Sequence, residues 1–356
     1  MRILHLIPSL GGGGAERQLT YLADGLRALG CDVHVAMFKG GPNLPLLEAS
    51  GATLHPLSTG SNYDPRILFR LVRLIRRVRP DVVQTWLPQM DVFGGVAALL
   101  TRTPWVISER TSSRHHPRSM QWWLRNAVGR HANAVVANSE VGLDRWEESG
   151  PERFVIRNAV AFAEIDATPP DTADYGSSRV IVFAGRLTVE KNVLNLIAAL
   201  REVMEQRDAV ALFCGEGPME DEIRAAIAAA GLTDRVRLLG YVDNLPAIVK
   251  RADVVVAPSW YEGHPNVSTD AAACGCPLVV SDIPAHGWLS DNAALFAPPG
   301  DPRAIAAAIL QTLDDPAAAR ARGLRAREIV REWSVERAAS SYLNLYRELR
   351  AKRAGS

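Results

Sequence analysis

Arg186 and Lys191 stand close together in the stretch GRLTVEKN, directly after the apolar run VIVFAG. Two cations at the carboxyl end of a strand clamp a diphosphate, the arginine through its planar fork and the lysine as a point charge. The alternative is a solvated surface pair. Gly185, which permits close approach, tips the balance toward a clamp. Further on, Glu262 and Asp270 flank the turn Gly263-His264-Pro265-Asn266-Val267 within SWYEGHPNVSTDAAACGCPLVVSDIP. A carboxylate beside a phosphate is repelled by it and is better used to accept hydrogen bonds from sugar hydroxyls. The amides of the turn begin a helix. A helix-start acid favoured by the helix dipole explains Glu262 or Asp270 singly but not the whole pattern. Near the amino terminus, SLGGGGAER (Ser9–Arg17) separates RILHLIP from QLTYLADGLRALG. Such a run exposes backbone N–H groups at a helix start, a cradle for phosphate; its other reading is a tight strand–helix turn. It is not G-x-G-x-x-G, since the third glycine falls at Glu16, and no Gly-Lys-Ser/Thr completes a Walker pattern.

These groups need a scaffold that gathers strand ends. Short apolar runs alternate with helical patterns along the chain: 2–8, 32–38, 81–86, 104–109 and 134–139, then 179–187, 209–217, 235–241, 253–259 and 277–282. Runs of this kind suit strands buried on both faces, and their alternation with helices predicts parallel sheets. The Pro- and Asp-containing stretch 168–178 reads as a linker. The expected organisation is an amino-terminal Rossmann-like domain over 1–167, a second over 168–338, and a closing helix over 339–356 that packs back toward the first. The expected fold is therefore α/β, two doubly wound domains facing each other across a cleft, with ligands beyond the carboxyl ends of the strands.

Composition narrows the function classes. The chain has 356 residues, is 47% apolar and 22% charged, and carries a net charge of +1, so nothing draws it as a whole to nucleic acid. Cys31, Cys214, Cys274 and Cys276 have neither metal-ligand nor disulfide-framework spacing, as suits a reducing compartment. No secretory signal and no apolar run long enough for a bilayer is evident. A cytoplasmic location is expected, with no nucleic-acid partner.

Taken together, AGRL…EKN, GEGP, ADVVVAPSWYEGHPNVSTDAAACGCPLVVSDI, the opening GGAER and the closing WSVERAASSYLNLYREL resemble the retaining glycosyltransferases of family GT4, which have the GT-B fold. The likeness runs over nearly the whole chain. It implies a donor diphosphate contacted by Gly13 and Gly14, by Arg186 and Lys191, and by the helix-start residues Asn266 and Val267. It assigns the donor sugar to Glu262, Gly263, His264 and Pro265. It also implies that Asp270 serves the ribose, although the family usually has the longer glutamate there. Gly215, Glu216, Tyr241 and Val242 fall on the base side. Where many relatives have Phe, this chain has His264, expected to pack rather than to catalyse. In place of a histidine near the reacting sugar it has Ser108-Glu109-Arg110-Thr111, like relatives that build lipid-linked surface glycans. Glu109 and Arg110 then position donor sugar or acceptor phosphate, or form an internal ion pair. His115 and His116 read as surface residues.

The resemblance implies transfer of a hexose from a nucleotide sugar, UDP-linked, with retention and with Arg186, Lys191 and Glu262 catalytic. No Asp-x-Asp metal motif occurs, so neither metal nor other cofactor is expected. The acceptor is a glycan or a polyprenyl-diphosphate-linked sugar. Two basic segments bear on it. Arg66, Arg70, Arg73 and Arg77 share one helical face, which reads first as a solvated face over a core-packing helix. Trp122 and Trp123 lie among Arg118, Arg125 and Arg130, a pattern that suits peripheral contact with an anionic inner membrane face. Other readings are a nucleotide-sugar 2-epimerase of the same fold and a non-catalytic sugar-nucleotide-binding protein.

Overall fold

The computed structural model describes all residues except 58–63, 111–118, 145, 147–149, 177, 291 and 355–356. The chain divides into two compact units, Met1–Ala159 with Trp333–Ser356, and Val160–Glu332. The first division therefore falls ahead of the expected boundary at 167. Residues 162–167 are held by the second unit, because Arg327 reaches Asp166 at 2.5 Å and lies over the Phe162 ring.

In the first unit, β1 (Arg2–Leu6), β2 (Asp32–Met37), β3 (Thr53–Pro56), β4 (Val82–Trp86), β5 (Trp105–Glu109), β6 (Ala134–Ala137) and β7 (Glu152–Val155) form one parallel sheet. Their order is β3-β2-β1-β4-β5-β6-β7. Each of the first six strands leads into a helix, in turn α1 (Gly14–Ala28), α2 (Leu44–Ala49), α3 (Arg66–Val78), α4 (Leu87–Leu100), α5 (Met120–Gly129) and α6 (Glu140–Leu143). The second unit opens with α7 (Phe162–Ala167). Its parallel sheet contains β8 (Arg179–Ala184), β9 (Ala209–Cys214), β10 (Val236–Gly240), β11 (Val254–Ala257), β12 (Leu278–Ser281) and β13 (Leu295–Ala297), ordered β10-β9-β8-β11-β12-β13. The helices α8 (Val193–Gln206), α9 (Glu220–Ala229), α10 (Leu245–Arg251), α11 (Asn266–Ala273), α12 (Pro302–Asp314) and α13 (Pro316–Val330) complete it. The closing helix, α14 (Val335–Ala354), belongs to the first unit.

Neighbouring residues on a strand face opposite sides, and both sides of each sheet are covered. Ile3, Val33, Val82 and Val106 pack against Leu19, Leu22 and Leu26 of α1 and against Tyr342 and Tyr346 of α14. Their neighbours Leu4, Val83 and Ile107 pack on the other side with Leu71 and Ile75 of α3 and Met90 of α4. In the second unit Ile181, Phe183, Ala211 and Phe213 share a core with Leu196 and Leu200 of α8 and Ile305 and Ile309 of α12. The strand order reverses between β1 and β4 in one sheet and between β8 and β11 in the other. The connections diverge at those points and leave a crevice beyond the strand ends, where open α/β sheets bind ligands. The glycine run follows β1. GRLTVEKN follows β8 and YEGHPN follows β11.

One buried base stands in the first core. His5 is inaccessible to solvent; the Trp86 Nε1–H donates to its Nδ1 at 3.3 Å, and its Nε2 meets no hydrogen-bond partner among the described residues. Burial lowers its pKa to about 3. An unfolded histidine takes up a proton near pH 6.5, so stability from neutral His5 is complete above that pH and is lost as pH falls toward 3. We expect the unfolding free energy, from urea titrations between pH 7 and pH 4, to fall more steeply for the wild type than for His5→Leu. The expected difference is ~1.4 kcal/mol per pH unit, one proton's worth; parallel curves would show that His5 is not the group that titrates.

Candidate functional site

The second unit brings its predicted residues to one end of one sheet. The backbone Gly185 N–H donates to Cys214 O at 2.9 Å, Leu187 N–H to Glu216 O at 2.9 Å, and Gly215 N–H to Gly240 O at 2.7 Å. These bonds join the loops after β8, β9 and β10. Gly215 has φ 144°, and a Cβ there would lie 2.0 Å from Gly185 O, so only glycine fits. The Glu216 carboxylate accepts the Tyr241 amide at 3.4 Å, which fixes the start of the Tyr241–Val242 turn.

Across the crevice between β8 and β11, Trp260 N–H donates to Glu190 O at 2.9 Å, and Asn192 Nδ2 donates to Pro258 O at 2.9 Å and to Pro299 O at 2.6 Å. On this lacing lies the closest pairing of charges at the site. Lys191 Nζ is 2.5 Å from Glu262 Oε1, which also accepts the Ser259 hydroxyl at 2.8 Å. Arg186 is different: its side chain is 77% exposed and, among the described residues, reaches only Glu190, at 3.5 Å. The site thus holds one cation in a neutralising pair and extends a second into solvent. An arriving anion meets Arg186 with little to displace and competes with Glu262 for Lys191.

Helix α11 begins at Asn266, directly after Gly263, the buried His264 and Pro265. Its opening turn is pinned from below. His286 Nδ1 lies 2.9 Å from the Ser281 carbonyl, which can only accept, so the neutral ring carries its proton on Nδ1. Its Nε2 then accepts the Ser268 hydroxyl at 3.1 Å. Burial lowers the His286 pKa, which keeps the ring neutral and the relay intact. Asp270 sits one helical turn beyond Asn266 and is half-buried. Sequence reasoning passed over Ser259, Asn192, Ser268 and His286. Only Asn192 carries a local signal, as an asparagine well suited to its left-handed φ of 58°.

In the first unit, Gly13 caps α1 in an extended conformation and Gly14 is its first residue. A Cβ on Gly13 would lie 2.4 Å from a carboxylate oxygen of Glu16, which folds back over the run. Burial raises the Glu16 pKa, opposed by a hydrogen bond from its own backbone amide. The glycine amides are therefore bordered by an acid that the run itself makes room for.

Glu109, at the end of β5, is 1% exposed and forms a buried ion pair with Arg125 rather than with its neighbour Arg110. Arg125 NH1 reaches its Oε2 at 2.8 Å while Arg125 Nε reaches Asp91 Oδ2 at 2.6 Å, and the Trp146 indole N–H donates to Glu109 at 3.2 Å. Burial opposes the Arg125 charge, but Asp91 and Glu109 overcome it and raise its pKa. Arg125 is thus removed from the basic surface expected around the tryptophans, and Trp122 stacks on it at 5.0 Å. Trp123 and Met120 are 63% and 71% exposed. Arg110 lies over the Trp86 ring at 4.7 Å and donates to Asn158 Oδ1 at 2.6 Å and Tyr342 OH at 2.7 Å. Thr111, His115, His116 and Arg118 lie outside the described residues. On α3 the arginines stay exposed or half-exposed while Ile67, Leu71, Leu74 and Ile75 are buried, as a solvated face over a packed one requires. Among the described residues, no three His, Cys, Asp or Glu side chains are grouped to hold a metal ion, and no helix is long and apolar enough to cross a membrane.

Comparison with known proteins returns two family models, "Glycosyltransferase Family 4" over residues 12–163 and "Glycosyl transferases group 1" over 178–315. The chain is similar to 2-deoxystreptamine glucosyltransferase of Streptomyces kanamyceticus, at 28% identity over 319 residues, 80% of this chain and 82% of that one. It is 24% identical over 250 residues to an Escherichia coli UDP-Gal:alpha-D-GlcNAc-diphosphoundecaprenol alpha-1,3-galactosyltransferase, covering 64% and 65% of the two chains. The fold matches that of Anabaena HepE, solved with UDP and glucose, with a TM-score of 0.86 at 20% identity over 98% of this chain and 100% of that one.

Breaking the buried ion pair tests its structural part. Arg125→Met leaves Glu109 and Asp91 buried without a cation and should cost about 3–5 kcal/mol of unfolding free energy in urea. A loss below about 1 kcal/mol would show that the two acids do not depend on Arg125.

Proposed function

The chain belongs to the group 1 glycosyltransferases of family 4 and is a glycosyltransferase with the GT-B fold; on that premise we propose that it moves a hexose from a UDP-sugar to a glycan or polyprenyl-diphosphate-linked acceptor. The observation that carries this reading is the 2.5 Å pairing of Lys191 with Glu262 at the β8–β11 crevice, with Arg186 free to turn inward. Breaking the bond between the anomeric carbon and a diphosphate oxygen puts negative charge on the leaving group and positive charge on the sugar. Arg186, Lys191 and the amides of Asn266 and Val267 are assigned to the first charge. Glu262, released from Lys191 as the diphosphate takes that cation, is assigned to the sugar hydroxyls with Gly263, His264 and Pro265. Charge stabilisation by groups already in place is the main catalytic contribution of such sites.

Asp270 is assigned to the ribose, and Gly215, Glu216, Tyr241 and Val242 to the base. Gly13 and Gly14 are assigned to the donor phosphates on the strength of their helix-start amides. Acceptor positioning falls to Arg110, because Glu109 is consumed by Arg125. Retention at the anomeric carbon follows the family, through a front-face route in which the leaving phosphate assists deprotonation of the acceptor. No metal enters this scheme, the side-chain cations taking that part. The E. coli relative's name supports a UDP-linked donor and a lipid-linked acceptor, and the UDP and glucose held by HepE support the donor class. The exposed Met120 and Trp123 of α5, with the exposed Arg130 on the next turns, are the surface we assign to peripheral contact with an anionic inner membrane face in surface-glycan synthesis.

A thermal-shift screen of nucleotide sugars identifies the donor, since a bound donor raises the melting temperature by mass action. With that donor, Lys191→Ala or Arg186→Ala should each lower kcat about 10²–10³-fold, equivalent to about 2.7–4 kcal/mol. The unliganded melting temperature should be unchanged for the exposed Arg186 and lowered for Lys191, whose loss leaves Glu262 without its cation. Turnover within a few-fold of wild type would remove the clamp from the mechanism, and sugar epimerisation without any acceptor would replace transfer as the activity. Gly14→Val should abolish turnover in a folded protein. Retained activity would reduce the glycine run to a turn.

A further inference from the structure

At the end of the first unit's sheet opposite the glycine run, ahead of β4 and β5, lies a cavity of about 430 Å³ that the transfer reaction does not use. Arg76 and Arg79 reach it from the end of α3, Arg350 and Arg353 from α14, and Thr101 and Thr103 from the turn after α4. Its one carboxylate, Asp81, already accepts the Arg2 amide at 2.8 Å and lies 3.7 Å from Arg350 Nε. Four arginines against one carboxylate leave the lining at +3. No described carboxylate forms an ion pair with Arg76, Arg79 or Arg353. Like charges held together without counterions repel one another, and a bound anion relieves that repulsion.

The backbone adds a second observation. Helix ends at Gly30, Gly51, Gly231 and Gly275 turn through positive φ with glycine, which adopts it without steric cost. The two such ends beside this cavity use arginine instead, Arg79 at φ 51° and Arg102, between Thr101 and Thr103, at φ 52°. A basic residue near a helix carboxyl end complements the dipole. Arg76 and Arg77 already do so in the last turn of α3, so the strained position of Arg79 is not needed for it, whereas α4 has no basic residue in its last turn and Arg102 supplies one.

We propose that this cavity is a binding site for a multiply charged phosphate anion, distinct from the donor site of the second unit. The guanidinium forks match pairs of phosphate oxygens, and the threonine hydroxyls supply neutral donors between them. A soluble phosphorylated molecule and a phospholipid headgroup both present this chemistry.

The test uses the full chain with the donor clamp removed by Arg186→Ala and Lys191→Ala, and inorganic pyrophosphate as the probe, titrated calorimetrically at low ionic strength where exposed charges are least screened. Pyrophosphate should still bind, and adding Arg76→Ser with Arg353→Ser should raise its Kd at least tenfold. Absence of binding before those two changes, or an unaltered Kd after them, overturns the proposal. Co-sedimentation with phosphatidylglycerol vesicles separates the sources. Vesicle binding that pyrophosphate displaces, and that Arg76→Ser/Arg353→Ser abolishes, assigns the site to a headgroup. Pyrophosphate binding lost in that variant with vesicle binding unchanged assigns it to a soluble ligand.

Discussion

The second unit's site depends on a side-chain amide that ties two of its loops to the start of α8. Asn192 Nδ2 donates both its hydrogens, to the carbonyls of Pro258 and Pro299, while the residue itself turns through positive φ to start α8. Asn195 Nδ2 adds a second donor to Pro299 O at 3.1 Å, and Trp260 N–H ties the β11 loop to Glu190 O at 2.9 Å. With Asn192 in place, the β8 loop and the β11 loop stand in register, and Lys191 and Glu262 meet as a consequence. Loss of the Asn192 amide would take this donor from the buried Pro258 carbonyl, which costs more than the bond itself contributes, while Pro299 O would keep Asn195 Nδ2 at 3.1 Å.

The first unit places its charge differently. Arg125, Glu109 and Asp91 are buried together, and the hydroxyl of Thr85 donates to Asp91 as well. Burial of this kind is expensive and adds little net stability, but it leaves the end of β5 one available geometry. Arg110, the next residue, is then presented to Asn158, Tyr342 and the face of Trp86. Through Tyr342 and Tyr346, α14 reaches the polar seam under β4 and β5, where Tyr346 OH donates to Gln84 and Gln84 Nε2 to Ser108 at 2.6 Å. The carboxyl-terminal helix therefore sets side chains at the strand ends as well as covering the core.

Strand legibility followed burial. The ten apolar runs read from the sequence each contain a strand, shortened at one or both ends where the chain turns into a loop. The strands that were not read, β3, β7 and β13, lie at sheet edges: Thr53–Pro56, Glu152–Val155 and Leu295–Ala297 are short and partly exposed. These three are only three or four residues long, too little at that exposure to stand out as strands, whereas the edge strand β10, with five residues, was recognised. The same blindness to partners misplaced Arg125. Its neighbours in sequence, Trp122, Trp123 and Arg130, made it look like part of a basic surface, whereas Glu109 and Asp91 come from other strands and helices.

Local periodicity and residue type are enough to read off the parallel α/β class, the glycine run at a helix start, and the cations and carboxylates in strand-end loops. Which charges are spent on the protein's own packing depends on contacts between distant segments. Lys191 is paired with Glu262 while Arg186 stays in solvent, Glu109 is consumed by Arg125, and Asp81 leaves three cavity arginines without a counterion. Pairing of this kind joins residues as far apart in sequence as 191 and 262, and it is settled by which loops the strand order brings together at a switch point.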